Sequence, residues 1–482
     1  MLGLAYVGAF LACIGTFALT RRVAVRRTTL LVASYGLYFA WQREIIAILV
    51  FSAVMNFRFG QALRRRPSGL LLTMGVVGNA ALLGAFKYLP ELATQFPWTA
   101  LHRLGDIVLP LGISFWTFQA VSYLFDQYRG EELEPSFLEF ALFMAFFPVT
   151  ISGPICRLGT MLPQFRSKQK LTWEDIGAGT RRIATGVLMM QLAKLLGQGI
   201  LAGDGVNSGF DRAAQLSGPD VWCLVFGYGL QLFFDFAGYC MIAIGAARAL
   251  GIVVPENFDR PFSSSTPSIF WTRWHMSLSF WIRDYVFLPL ATIRREVWWR
   301  SLTLVLALVL FGLWHRASIP FVLWGCYHGA LLVGHRIIQA FRRNRGWDST
   351  SPLTGISAWA CTMALISLGW IYFRANSTER AGQMFMAVFS PASYGRHGLS
   401  LSLYALVIVL GVGYAGTARL CDILERHETE GATAGNNSQW ISILARWRWY
   451  WIPPLYALTL IFVMMVTFTQ GASTSQFMYS QF

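Results

Sequence analysis

Seven histidines occur in the 482 residues, and three of them share one run, FGLWHRASIPFVLWGCYHGALLVGHR, from Phe311 to Arg336. His315 closes an apolar stretch shortly before Pro320, where a helix is expected to break because proline has no N–H to donate. His328 lies inside the apolar stretch that follows, with His335 two turns further on. A fourth, His275, lies in PSIFWTRWHMSLSFWIRDYVFLPL, Pro267 to Leu290. An imidazole in apolar surroundings is held neutral, and a neutral imidazole can take a proton from a hydroxyl. These residues could therefore carry general-base catalysis; the plainer alternative is structural histidines bonded to neighbouring carbonyls. Asp235, in LQLFFDFAGYCMIAIG, is a third candidate, because a carboxylate there must find a partner or be protonated. An ion pair with an arginine is the simpler account of it.

The Pro267 segment has its own periodicity. Thr266 and Pro267 form a helix start, after which Trp271, Trp274, Leu278, Trp281, Tyr285 and Leu288 recur at spacings of three and four. At 100° per residue they form one apolar face, and Thr272, His275, Ser279 and Arg283 share a neighbouring flank. That pattern predicts an interfacial or re-entrant amphipathic helix. A membrane-surface helix with a solvated polar side fits the same residues.

The surrounding elements are those of an integral membrane protein. Hydrophobic residues make up 55% of the chain and charged residues 13%, against roughly 25% charged in a soluble domain; the mean hydropathy is +0.48. A spanning helix needs about 20 apolar residues, since no water satisfies backbone groups in hydrocarbon. The clearest spans are Leu2–Leu19, Leu70–Phe86, Phe137–Ile155, Val221–Val254 (long enough for two short passes), Pro320–Ile338, Ile356–Phe373, Leu401–Gly416 and Ile452–Phe468. Shorter pieces at Thr28–Trp41, Ile45–Phe59, Ile107–Phe125, Thr180–Leu201 and Leu302–Trp314 raise the count to roughly 11 to 13. Prolines at or within these pieces predict broken or re-entrant helices near the centre. The chain reads as all-α and polytopic, a single membrane domain over residues 1–482 with no soluble domain.

The net charge of +15 would suggest nucleic acid as the partner of a soluble protein. Here the arginines sit in alternating loops: Arg21, Arg22, Arg26 and Arg27 after the first span, Arg64, Arg65 and Arg66 after the third. The positive-inside rule makes that side cytoplasmic and the N-terminus extracytoplasmic; the partner is the lipid bilayer, with no nucleic acid. The first stretch lacks a basic n-region and reads as an uncleaved span. The cysteines show no metal-ligand spacing, lie mostly in apolar stretches, and read as buried thiols. No Walker loop, dinucleotide fingerprint, paired CxxC or HExxH is present, so neither nucleotide hydrolysis nor a metal site is expected.

Taken in order, LGISFWTFQAVSYLFDQYRGE (Leu111 to Glu131), FFPVTISGPICR (Phe146 to Arg157), LFFDFAGY (Leu232 to Tyr239), PENFDRPF (Pro255 to Phe262), FWTRWHMSLSFWIRDYVFLPL (Phe270 to Leu290) and GLWH (Gly312 to His315) resemble the membrane-bound O-acyltransferase (MBOAT) family. The branch is the bacterial one that holds alginate O-acetyltransferase and the teichoic-acid D-alanyl transfer protein. LGWIYFRANS (Leu368 to Ser377) and the closing FMYSQF are similar too. The resemblance implies a ring of tilted and re-entrant helices around a tunnel, with a core at about 107–338. It implies that His315 is the catalytic histidine and His275 the second conserved polar position. Within or beside the matched runs, Asp235, Asn257, Trp274, Ser279, Arg283, Arg316 and His328 are candidates for substrate-binding or supporting roles. Two departures stand out: Arg316 replaces the family's usual glycine after GLWH, where it could grip an anionic acceptor or depress the histidine's pKa, and Met241 replaces the second aspartate of the alginate-type run, where the sequence is more similar to the D-alanyl-transfer members.

The activity this implies is acetyl transfer from acetyl-CoA to an extracytoplasmic polysaccharide, directly or through a periplasmic partner protein, in the bacterial inner membrane. No permanently bound cofactor is expected. Within the enzyme class the rival is D-alanyl transfer from an acyl-carrier-protein thioester. From another class comes a proton-coupled transporter using His315, His275 and Asp235 as a relay; the lack of visible internal repeats speaks against it. An excess of arginine over lysine suggests a GC-rich genome and tilts the choice toward acetylation.

Overall fold

A computed structural model of the chain describes residues 2–90, 108–200, 203–212, 216–347, 352–375 and 377–430. The expected span Ile452–Phe468 and the closing FMYSQF lie outside the described residues. The described residues contain helices and no strand. In chain order the helices are α1 (Leu2–Leu19), α2 (Val23–Trp41), α3 (Ile46–Arg65), α4 (Gly69–Lys87), α5 (Ile113–Tyr128), α6 (Phe137–Ala145), α7 (Leu158–Phe165), α8 (Trp173–Gln198), α9 (Val206–Asp211), α10 (Gly218–Ala249), α11 (Pro267–Arg273), α12 (Met276–Ile282), α13 (Leu288–Ala291), α14 (Val297–His315), α15 (Ile319–Asn344), α16 (Pro352–Arg374), α17 (Thr378–Phe389) and α18 (Leu401–Glu430). Among the described residues, seven helices are long and apolar enough to cross a membrane: α3, α4, α10, α14, α15, α16 and α18.

Two expectations change. The stretch Phe137–Ile155 is not a span: α6 has nine residues and is followed by turns through Gly153, because Pro148 and Pro154 interrupt the apolar run. The long run Val221–Val254 is one helix, α10, of 32 residues. The chain forms two compact units, residues 1–184 with 239–257 and 277–286, and residues 185–238 with 258–276 and 287–482.

In the first unit, buried polar groups fix the helices. Asn56 on α3 and Asn79 on α4, both fully buried, exchange side-chain amide hydrogen bonds of 3.1 and 2.6 Å; such pairs join helices that have no hydrophobic effect to drive them together in lipid. Glu139, 2% exposed, accepts two bonds of 2.8 Å from Arg166 and a 2.5 Å bond from Arg27, and closes a capping box with Ser136. Arg64 pairs with Glu134 at 2.7 Å. These pairs bring the Arg21–Arg27 and Arg64–Arg66 loops to one end of the unit, as their alternation along the chain requires.

The second unit is organised by the α14–α15 hairpin. Gly312 on α14 and Gly325 and Gly329 on α15 let the two backbones approach: a Cβ on Gly325 would meet the Leu308 carbonyl oxygen at 2.5 Å, and one on Gly329 would meet Val305 Cα at 2.9 Å. Gly325 and Gly329 are a G-x-x-x-G pair, the spacing that places small residues on one helix face.

Both units yield a prediction. The Arg166 guanidinium holds the Glu139 carboxyl down at about 2, against opposition from burial. Since the ordinary value is about 4.3, this stabilisation is complete above that pH and is lost as pH falls from there through 2. Glu139→Gln flattens this acid limb of the melting temperature in detergent. Gly325→Ala overpacks the hairpin at a cost of about 1–3 kcal/mol and lowers the melting temperature, whereas Gly334→Ala, whose Cβ meets nothing within 4 Å, leaves it unchanged.

Candidate functional site

Thr266 caps α11 by accepting a hydrogen bond from the Ile269 N–H, with Pro267 at the first helical position, as the sequence indicates. The continuous amphipathic helix expected from Pro267 to Leu290 does not form. α11 ends at Arg273, α12 begins at Met276 and a π-helical turn occupies Arg283–Phe287. Between α11 and α12, His275 adopts φ 44°, a left-handed conformation that costs a residue with a Cβ of order 1–3 kcal/mol and clusters at functional sites. The break resets the helical phase, so the flank of Thr272, His275, Ser279 and Arg283 is not one surface: Thr272 and Arg283 are exposed, Ser279 is half-buried and His275 is 1% exposed. The apolar positions Trp271, Trp274, Leu278, Trp281 and Tyr285 are buried, while Leu288 is exposed.

His315 is the last residue of α14 and is buried; α15 starts four residues later with Pro320 in its first turn. The second unit brings His315 and His275 to one enclosed cavity of about 10 Å³, with Leu232 and Phe236 from α10, Trp271 from α11, Trp274 beside the break, Phe311 from α14, Trp324 from α15, and Trp370 and Phe373 from α16. That volume is at the lower limit for one water molecule. Phe311 and Trp314 lie between the imidazoles: ring centroids are 5.3 and 4.6 Å from His315 and 6.3 and 6.5 Å from His275. Phe236 meets His275 edge-on at 4.7 Å, and Phe373 meets His315 at 5.0 Å.

The other candidates fall into different places. Trp274 lines the cavity and packs on Phe270 at 5.4 Å and Trp370 at 5.2 Å. His328 does not line it; this fully buried ring stands behind the indoles of Trp271 and Trp324, edge-to-face at 5.3 and 4.9 Å. Asp235 is buried on α10 beside Phe236 but is not part of the lining. Arg316 is exposed, its backbone N–H closing the end of α14. Arg283 is paired with Asp284 at 2.7 Å. In the first unit Asn257 is fully buried and accepts from the Ser277 N–H at 3.2 Å and its hydroxyl at 2.8 Å; it thereby anchors the first turn of α12. Of the cysteines, Cys13, Cys156, Cys223 and Cys240 are buried, as expected of ordinary thiols in apolar stretches, while Cys326, Cys361 and Cys421 are exposed. Among the described residues, no group of three or more His, Cys, Asp or Glu converges as metal ligands would.

Sequence reasoning missed Trp324, Phe373 and Ser277 as site elements. The signal for Trp324 was its place immediately before Gly325, which seats α15 against α14; Phe373 lies in the similar run LGWIYFRANS. An enclosed, aromatic, water-poor cavity with two imidazoles suits removal of a proton from a hydroxyl more than handling of charged solutes.

The model of the MBOAT, membrane-bound O-acyltransferase family matches residues 127–374. The chain is similar to the probable alginate O-acetylase AlgI of Pseudomonas aeruginosa, 33% identical over 384 residues, covering 76% of this chain and 70% of that protein. It is similar to the peptidoglycan O-acetyltransferase of Helicobacter pylori, 32% identical over 410 residues, 77% of this chain and 74% of that protein. The teichoic acid D-alanyltransferase of Bacillus subtilis is 29% identical over 347 residues, 70% of this chain and 83% of that protein.

Asn257→Ala strands the Ser277 N–H in a buried setting at a cost of about 1–3 kcal/mol. A lowered melting temperature in detergent is expected, and Asn257→Asp, which keeps an acceptor oxygen, recovers part of it.

Proposed function

Because the chain belongs to the membrane-bound O-acyltransferase family, we propose that it acetylates hydroxyls of an extracytoplasmic polysaccharide, directly or through a periplasmic partner protein, with acetyl-CoA as donor. The observation that carries this reading is the enclosed aromatic cavity holding His315 and His275. The acceptor hydroxyl gives its proton to His315 as its oxygen bonds to the thioester carbon, and the carbonyl electron pair moves onto oxygen. Collapse of the tetrahedral intermediate breaks the C–S bond, and His315 returns the proton to the leaving thiolate. Ester and free thiol result with no net proton change. His275, held in its left-handed turn, orients the acceptor.

The relatives named for acetyl transfer and the one named for D-alanyl transfer leave two donors to compare. A D-alanyl thioester brings an ammonium group, and the cavity lining contains no carboxylate to pair with it; this supports acetyl. By the positive-inside rule the arginine loops of the first unit face the cytoplasm and the N-terminus lies outside the inner membrane; basic loops suit CoA phosphates and an acidic carrier equally, so this charge does not choose between the donors.

Purified protein in nanodiscs, supplied with radiolabelled acetyl-CoA, candidate partner and acceptor, is expected to consume the thioester. His315→Ala is expected to slow this by about 10²–10⁴. Equal rates in the two proteins overturn the role of His315. Consumption of carrier-linked D-alanine in place of acetyl-CoA selects the other donor, and ion flux without transfer selects the transporter.

A further inference from the structure

We propose that the indole N–H groups of Trp271 and Trp324 hold the carbonyl oxygen of the acyl group during transfer; this rests on the acyl-transfer reading of the cavity. Four tryptophans line that cavity, Trp271, Trp274, Trp324 and Trp370. The Nε1 atoms of Trp271, Trp324 and Trp370 are buried with no hydrogen-bond partner among the described residues, and that of Trp274 is not among them. Their side chains are at least nine-tenths buried, with Trp271 8% and Trp324 and Trp370 1% exposed. A buried donor without an acceptor is costly and uncommon in folded proteins. Three around one cavity call for an explanation.

Trp370 has a separate one. A Cβ on Gly229 would stand 2.8 Å from its Nε1, so that end of the indole is packed against the α10 backbone. Trp271 and Trp324 remain, meeting edge-to-face at 5.7 Å, with His328 behind both. Edge-to-face contact with a ring gives an N–H only a weak substitute for an oxygen acceptor.

The reaction supplies that oxygen. When the hydroxyl adds, the carbonyl oxygen takes a full negative charge in a cavity whose other lining is largely Leu and Phe. Backbone N–H groups inside α10, α14, α15 and α16 are committed to their own helices. Fixed donors aimed at the developing charge act most strongly where water is excluded. His315 handles the proton and His275 the acceptor, so the indoles are the donors left for the oxygen.

The test replaces Trp271 or Trp324 in the full-length protein by β-(3-benzothienyl)alanine, which keeps the shape of the indole and puts sulfur in place of N–H. Acetyl transfer from acetyl-CoA to the acceptor is followed in nanodiscs. Loss of one donor is expected to lower kcat by about 10²–10³ with little change in KM for acetyl-CoA, while the same replacement at Trp298, 55% exposed near the start of α14 and outside the cavity lining, leaves kcat near wild type. As a second readout, the indole N–H vibration of wild type shifts on binding S-acetonyl-CoA, an unreactive ketone, and the shift is lost in the replaced proteins. Wild-type kcat in both the Trp271 and Trp324 replacements, or an equal fall at Trp298, overturns the assignment while leaving acyl transfer in place. A wild type inert toward every acyl thioester overturns both.

Discussion

The close approach of α14 and α15 is the constraint on which the site depends. Without a hydrophobic effect between helices in lipid, association rests on close packing and on polar pairs. Gly312, Gly325 and Gly329 remove the side chains that would hold these backbones apart. Only at that separation does Trp324, next to Gly325, lie against His315, with ring centroids 6.1 Å apart. The short Arg316–Ser318 link then lets one helix end and the next begin without carrying His315 out of the apolar interior.

A second constraint acts on the other histidine. His275 reaches the cavity because the chain leaves helical geometry at that residue and resumes it at Met276. An uninterrupted helix would place His275 and Ser279 on one flank, one turn apart. The break separates their roles: the imidazole is enclosed, and the following helix is fixed by Asn257 through Ser277. The backbone strain at His275 is thus local to the break, at the residue whose ring reaches the cavity.

Much of this was legible in the residues, and the failures have physical causes. His315 before Pro320 announced a helix end, and Thr266–Pro267 announced a helix start, because capping and proline geometry are local. The arginine loops announced one end of the first unit. The break at His275 was hidden, because Trp271, Trp274, Leu278, Trp281 and Tyr285 keep a helical rhythm across it; their burial comes from tertiary packing on both sides of the break. The prolines after α6 were visible, but apolar length outweighed them in the reading of Phe137–Ile155. For Trp324 and Phe373 the signals, a neighbouring Gly325 and the run LGWIYFRANS, did not separate them from the other aromatics of a chain that is 15% aromatic, because proximity to a particular histidine is a property of the folded helices alone.

The size of the cavity bears on what the enzyme does when no acceptor is present. Thioesters hydrolyse when water reaches the carbonyl carbon beside a base, and an idle acyltransferase risks becoming a thioesterase. A space of about 10 Å³ admits at most one water and cannot hold that water together with an acetyl group. A space that small holds no acyl group as it stands, so the aromatic walls must part to admit the substrates, and the closed shape offers water little room beside the histidines. Fidelity toward the intended hydroxyl is in this sense a matter of crowding, built into the resting shape of the protein.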